Sequence, residues 1–235
     1  MAGSSKAGVA LRSPGTADGQ AWGPSDAGVR VKICGITTMD DAKAAVDAGA
    51  DALGFNFYPK SSRTIALREA AVIVAKLPPL MTAVAVFVNP SEGQVLETLS
   101  VCRWGALQFH GDEDPAFLAS FPGDLQIKAA RIQDKRGLSH LKAAYSRCGA
   151  WLVDAAVAGE YGGTGKLARW DLAALAAKEK PVLLAGGLTP DNVAEAVRAV
   201  KPWAVDTASG VEKSPGKKDV KKMKAFVLNA KQALL

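Results

Sequence analysis

Short apolar runs alternate with longer segments of mixed polarity along most of the chain. Several runs are apolar at every position, as is typical of parallel strands that are covered on both faces. The longer segments carry apolar residues at helical spacing. The pattern predicts eight strands, which are RVKIC (30–34), ADALGFNF (50–57), MTAVAVFV (81–88), GALQFH (105–110), DLQIKAA (124–130), AWLVDA (150–155), PVLLAGG (181–187) and PWAVDTA (202–208).

Helix start signals follow several of these strands. Thr38, Asn89-Pro90 and Thr189-Pro190 each supply a capping side chain or a first-turn proline. Eight strand–helix repeats favour a single (β/α)8 barrel, an α/β fold, although a doubly wound open sheet has the same alternation. Residues 1–28 are rich in Gly, Ser, Ala and Pro, so we expect a flexible leader there and a barrel domain at 29–235.

Composition and charge narrow the class of protein. Of the 235 residues, 49% are hydrophobic and 22% are charged, as in an average soluble domain, and no apolar run is long enough to span a membrane, so we expect no membrane partner. The three cysteines cannot all pair, which favours a reduced, cytoplasmic protein. Most of the net charge of +6 comes from lysines beyond residue 212, and we expect these to form the solvated face of a terminal helix without binding nucleic acid.

Polar residues at the carboxyl ends of barrel strands face the active site. The first strand ends in Cys34, the fourth in His110, the sixth in Asp154 and the eighth in Asp206. By position alone, Cys34 is equally consistent with a structural thiol. A carboxylate such as Asp154 at the end of an apolar strand is costly unless it is hydrogen-bonded or functional, whereas Asp206 could equally orient loop backbone.

Glycines after the last two strands indicate a phosphate site. Gly186 and Gly187 follow the seventh strand, and Ser209 and Gly210 follow the eighth, where barrels commonly bind phosphate through backbone N–H groups. Arg63, after the second strand, is a candidate to bind a second anion.

Two further features are weaker. The string GGTGK (162–166) lacks the first glycine and the Ser/Thr of a P-loop, so we interpret it as a mobile cover near the sixth strand. The two histidines stand apart from any cluster of cysteines or carboxylates, so no metal site is predicted.

Taken together, the motifs resemble those of the phosphoribosylanthranilate isomerase family, (β/α)8 enzymes of tryptophan biosynthesis. They are KICGIT (32–37), DALGFNFYPKSSRTI (51–65), VAVFVNP (84–90), LQFHGDE (107–113), GGTGK (162–166), LAGGLTPDNV (184–193) and VDTASGVE (205–212). The resemblance implies a cofactor-free Amadori rearrangement of N-(5-phosphoribosyl)anthranilate to 1-(2-carboxyphenylamino)-1-deoxyribulose 5-phosphate. We expect this small molecule as substrate and a monomer or homodimer as the assembly.

The resemblance also implies roles for the candidate residues. Cys34 would be the general base, Asp154 the general acid, and Arg63 the ligand of the anthranilate carboxylate. His110 and Asp206 would line the pocket. The phosphate would be held by the backbone at Gly186, Gly187, Ser209 and Gly210. Lys32, two residues before Cys34 on the same strand face, is expected to bring positive charge to the thiol.

Two alternatives compete with this interpretation. The histidine-pathway sugar isomerases resemble these barrels, but they use an aspartate on the first strand where this chain has Cys34. A barrel that binds a phosphosugar or anthranilate without catalysis would need neither an acid nor a base. The presence of both Cys34 and Asp154 argues against that alternative.

Overall fold

The computed structural model describes residues 28–154 and 169–234. The expected leader, apart from Gly28, and the GGTGK segment lie outside the described residues. The strands of the main sheet are β1 (Arg30–Cys34), β2 (Ala52–Asn56), β3 (Thr82–Phe87), β4 (Ala106–Phe109), β5 (Gln126–Arg131), β6 (Ala150–Asp154), β7 (Val182–Ala185) and β8 (Ala204–Thr207).

Helices alternate with these strands in the described part of the chain. They are α1 (Met39–Asp47), α2 (Leu67–Val74), α3 (Glu92–Val101), α4 (Pro115–Leu118), α5 (Lys135–Ala144), α6 (Trp170–Ala177), α7 (Val193–Val200) and α8 (Val220–Lys231). Short 3₁₀ turns lie at Gly123–Leu125 and Ser209–Val211, and a small hairpin of β9 (Glu212–Ser214) and β10 (Lys217–Lys218) precedes α8.

Strands β1 to β8 form a closed parallel barrel in chain order. The ring is closed by β1, which pairs with β2 on one side and with β8 on the other. In this register Lys32 stands opposite both Ala52 and Asp206. Closure excludes the open doubly wound sheet, so the predicted (β/α)8 barrel is confirmed.

Alternate side chains of each strand face the inside of the barrel or the surrounding helices. The larger apolar cluster packs outward-facing strand residues such as Ile33 and Phe87 against helix residues such as Ile73 and Val197. The inner cluster consists of Val84, Val86, Ala106, Ile127, Ala129, Ala150, Leu152, Leu183, Ala185 and Ala204. Cys34 packs against this cluster from the end of β1, so its side chain belongs to the barrel interior.

The predicted start of α1 is confirmed, but α3 begins later than predicted. Thr38 caps α1 by accepting a hydrogen bond from the Asp41 N–H at 3.1 Å. Helix α3 is capped by Ser91 instead of Asn89. Asn89 has a φ of 47° and accepts a hydrogen bond from the Asp112 N–H, so its side chain joins two loops and does not cap the helix.

For the last two helices, too, the structure agrees only in part with the expectations from the sequence. Helix α7 begins at Val193 because Asn192 accepts a hydrogen bond from the Thr189 N–H at 2.8 Å and closes a turn ahead of the helix. Helix α8 buries Met223, Phe226, Val227 and Ala230 on the face opposite most of its lysines, whereas Val220 is exposed. Lys218, which we expected among the solvated lysines, is 2% exposed; that expectation is wrong.

Candidate active site

A buried ion pair lies beside the thiol at the end of β1. Lys32 Nζ is 2.6 Å from Asp206 Oδ1, and both residues are buried inside the barrel. A side-chain carbon at Gly54 would lie 2.8 Å from Cys34 Sγ and 3.1 Å from Lys32 Nζ. Because glycine has no side chain, the Cys34 thiol and the Lys32 ammonium group can both lie next to Gly54.

The charges around Cys34 act on its pKa in opposite directions. Burial raises the pKa of the thiol and Asp206 raises it further, while the positive charges of Lys32 and Lys218 lower it without offsetting the burial. Burial alone would lower the pKa of Lys32, but Asp206 and Cys34 raise it above its ordinary value. The ammonium therefore stays charged, and it supplies the positive potential that the sequence predicted beside the thiol.

His110 and Asp154 lie at the mouth of the barrel, after β4 and at the end of β6. They line a cavity of about 600 Å³ together with Lys128, Arg131, His140 and Tyr145. The Arg131 guanidinium lies 3.3 Å from Asp154 Oδ2. Arg131 is not among the residues predicted from the sequence, although its place as the last residue of β5 is a signal that the sequence offers.

The His110 imidazole is held from within the barrel. Its Nδ1 lies 3.0 Å from Gln108 Nε2, two residues earlier on β4. Burial lowers the pKa of His110, while the charges of Asp206 and Asp154 favour its protonated form. Since Asp206 also acts on Cys34, the thiol, the imidazole and the Asp154 carboxylate share one electrostatic environment.

A second buried ion pair fixes the loop that carries His110. Glu113 accepts hydrogen bonds from the Asn89 N–H and the Gly111 N–H at 3.0 and 2.9 Å, and its other oxygen lies 2.7 Å from Lys128 Nζ. Lys128 also donates to the Gly111 carbonyl at 2.6 Å. The loops after β3 and β4 are therefore tied to each other and to β5.

Arg63 lies in the loop after β2 and is already paired. Its Nε and Nη2 donate to the two carboxylate oxygens of Glu212, each at 2.8 Å. Burial disfavours the charged form of Glu212, yet Arg63 and Lys218 lower the pKa of this carboxyl overall. Glu212 ends the VDTASGVE motif (205–212), but no role for it is predicted from the sequence.

The loops after β7 and β8 are in direct contact. Thr207 Oγ1 donates to the Leu188 carbonyl at 2.8 Å, and a side-chain carbon at Gly210 would lie 1.9 Å from the same oxygen. Gly186 and Gly187 have φ values of 93° and 67°, which favour glycine. The four predicted phosphate ligands, Gly186, Gly187, Ser209 and Gly210, thus lie on two adjoining loops.

Residues 28–154 and 169–234 contain no group of three or more side chains suited to hold a metal ion. No helix in that part of the chain is long and apolar enough to cross a membrane.

Comparison with known proteins identifies the family. The family model for N-(5'-phosphoribosyl)anthranilate (PRA) isomerase matches residues 31–229. A PRA isomerase from Geobacter metallireducens is 50% identical over 203 residues, covering 86% of this chain and 99% of the relative. The chain belongs to the PRA isomerase family.

Solved structures of PRA isomerases agree with this membership. The enzyme from Thermotoga maritima has a TM-score of 0.79 at 41% identity, with 86% of this chain and 98% of that chain covered. A PRA isomerase in complex with reduced 1-(o-carboxyphenylamino)-1-deoxyribulose 5-phosphate has a TM-score of 0.76 at 38% identity, with the same coverage. The family suspected from the motifs is confirmed, and with it an isomerase of tryptophan biosynthesis on a (β/α)8 barrel.

Proposed function

We propose that this chain converts N-(5-phosphoribosyl)anthranilate to 1-(2-carboxyphenylamino)-1-deoxyribulose 5-phosphate, with Asp154 as general acid and Cys34 as general base. The observation that carries the proposal is the position of a thiol at the end of β1 and a carboxylate at the end of β6 of one closed barrel. Two groups at strand ends that meet at the same end of a barrel can act on different atoms of one sugar.

The first step opens the furanose ring. Asp154 donates a proton to the ring oxygen while the anthranilate nitrogen lends its electron pair to C1′, and the C1′–O bond breaks. The product is an iminium ion with a free hydroxyl at C4′. Arg131, 3.3 Å from the carboxylate, stabilises the ionised Asp154 that this step leaves behind.

The second step removes the proton from C2′. The Cys34 thiolate takes this proton, the C–H electrons form the C1′–C2′ double bond, and the iminium nitrogen becomes neutral. The resulting enolamine tautomerises to the ketone as C1′ gains a proton and the C2′ hydroxyl loses one. Lys32 stabilises the thiolate, and Asp206 holds Lys32 in place.

The two ends of the substrate are anions with separate binding groups in this proposal. The backbone N–H groups at Gly186, Gly187, Ser209 and Gly210 bind the phosphate, and Arg63 binds the anthranilate carboxylate. His110 and Asp206 line the space between them. The free thiols at Cys34, Cys102 and Cys148 suit a reducing compartment, so we also propose a cytoplasmic location.

The test is a fluorescence assay that follows loss of phosphoribosylanthranilate in the wild type, Cys34→Ser and Asp154→Asn. We expect turnover by the wild type and a fall in kcat of about 10²-fold or more in each variant. Cys102→Ser at the end of α3 and Asp47→Asn at the end of α1 are matched controls at the opposite end of the barrel from its mouth and should retain wild-type rates. Binding without turnover by the wild type would replace the proposal with a non-catalytic binding barrel.

A further inference from the structure

The hairpin of β9 and β10 begins and ends with buried charged residues. Glu212 is 7% exposed and Lys218 is 2% exposed, although each belongs to a two- or three-residue strand at the barrel mouth. Charged side chains are rarely buried unless they are paired, because removal from water is costly. The role we derive for this pair rests on the proposed function.

Lys218 joins the hairpin to the strand that carries Cys34. Its Nζ donates to the Cys34 carbonyl at 2.6 Å, to the Ala208 carbonyl at 3.1 Å and to Glu212 Oε1 at 3.0 Å. An ammonium group has three N–H donors, so each has a partner. One side chain thereby fixes the backbone at the thiol and the backbone of the proposed phosphate loop.

Glu212 fixes the plane of the Arg63 guanidinium. The bidentate pair occupies the edge formed by Nε and Nη2. A guanidinium has five N–H donors in a rigid fork, so the edge formed by Nη1 and the second Nη2 hydrogen is left to bind another carboxylate. Without Glu212 the arginine would lose the contact that sets the direction of that edge.

The backbone of the hairpin is held against the loops after β1 and β2. The Gly216 carbonyl accepts a hydrogen bond from Thr37 Oγ1 at 3.0 Å, in the loop after β1. Gly216 has a φ of 77°, and a side-chain carbon there would lie 2.6 Å from the Ser62 carbonyl, next to Arg63. The hairpin is therefore packed too closely for the two charged residues to move independently of the site.

We propose that Glu212 and Lys218 are a pair of positioning residues, in which Glu212 aims Arg63 at the carboxylate of the substrate and Lys218 fixes the backbone of Cys34 and of the phosphate loop. Neither residue touches the reacting atoms. The two members of the pair have different signatures in kinetics.

Glu212→Gln tests the effect of Glu212 on Arg63. In either orientation of the glutamine amide, its NH2 group replaces an oxygen that accepts from Arg63. The guanidinium therefore keeps one acceptor and loses the other. We expect KM for phosphoribosylanthranilate to rise about tenfold or more with kcat changed by less than about threefold. An unchanged KM in a folded Glu212→Gln protein would overturn the role of Glu212.

Lys218→Met tests the effect of Lys218 on Cys34 at the end of β1. The charged groups that face the thiol are Lys32 on its own strand, Asp206 on β8, Lys218 on β10 and Arg63 after β2. Loss of the Lys218 cation raises the pKa of the thiol, so the acidic limb of the kcat/KM profile should move to higher pH. An unmoved limb would overturn the role of Lys218.

The double variant Glu212→Gln/Lys218→Met guards against loss of folding, because neither a buried Lys218 cation nor a buried Glu212 carboxylate is left behind, and the partly exposed Arg63 keeps the glutamine oxygen as an acceptor. It should show the higher KM and the shifted limb together. Leu141→Ala, a core variant on α5 away from the hairpin, should change stability while leaving both readouts at wild-type values.

Arg63→Met separates failure of this inference from failure of the proposed function. If Arg63→Met leaves KM unchanged, the carboxylate role of Arg63 in the proposed function is wrong, and the role of Glu212 is wrong with it. If Arg63→Met raises KM and Glu212→Gln does not, only the positioning role is wrong.

Discussion

At the scale of the residue, the proposed chemistry depends on how a buried thiol is kept near a positive charge. Lys32 is 1% exposed, and its ammonium group is shared between Asp206 and the thiol. Asp206 has two opposite effects, since it keeps Lys32 charged but raises the pKa of Cys34 directly. The cation is therefore the group on which the reactivity of the thiol depends.

Replacement of Lys32 by Met should slow the enzyme through the thiol. Of the positive charges, that of Lys32 lowers the pKa of Cys34 most. Its removal raises that pKa, so kcat/KM at pH 7 should fall by about tenfold or more and the acidic limb should move to higher pH, farther than in Lys218→Met. The measurement is a pH–rate profile from pH 5 to 10. Lys142→Met, in an exposed pair with Glu179, is the control, and a Lys32→Met profile that overlays the wild type would contradict the prediction.

The candidate residues at the carboxyl ends of strands could be predicted from the sequence. Cys34, His110 and Asp154 were predicted because the carboxyl end of a barrel strand is recognisable from the apolar run before it. Lys218 was missed because its charge was counted with the lysines of the last helix. Its partner Glu212 lies across a hairpin of two very short strands, and such strands leave no hydrophobic period in the sequence.

At the scale of the element, neighbouring loops of the barrel are connected by buried polar groups. Glu113 accepts hydrogen bonds from backbone N–H groups in the loops after β3 and β4, and its other carboxylate oxygen pairs with Lys128 on β5. This arrangement explains why α3 starts two residues later than its sequence predicts. Asn89 is used between the loops, and only a tertiary contact could reveal that use.

Lys128→Met should destabilise the fold severely. Glu113 would be left buried without its cation, which costs about 3 to 5 kcal/mol of unfolding free energy. Urea unfolding followed by circular dichroism measures the change. The exposed Lys142→Met variant should lose less than about 1 kcal/mol, and an equally small loss in Lys128→Met would show that water or another group replaces the pair.

At the scale of the whole molecule, the hydrophobic pattern by itself predicts the number and order of the barrel elements, but it does not predict that the sheet closes. Alternating strands and helices are common to barrels and open sheets, and the choice rests on pairing between β1 and β8. That contact joins the two ends of the barrel sequence. Local hydrophobic patterns carry no information about it, whereas the family motifs did.

A chain that begins at Asp26 should retain the full activity. The family model starts at residue 31 and the first described residue, Gly28, lies next to the Lys231 carbonyl of α8. We expect kcat/KM within about twofold of the full-length value and a melting temperature within about 3 °C. The comparison uses both proteins side by side, and a marked loss of either quantity would assign a function to residues 1–25.

The pairing of Lys32 with Asp206 has a consequence for folding. The two residues are 174 positions apart and lie on the strands that close the ring. A chain whose first seven strands have already formed still lacks the partner of Lys32, so the surroundings of the proposed base Cys34 are incomplete. Such distant contacts form late because the intervening chain must be ordered first. Recovery of activity during refolding therefore reports the closing of the barrel, whereas circular dichroism reports the earlier appearance of its helices.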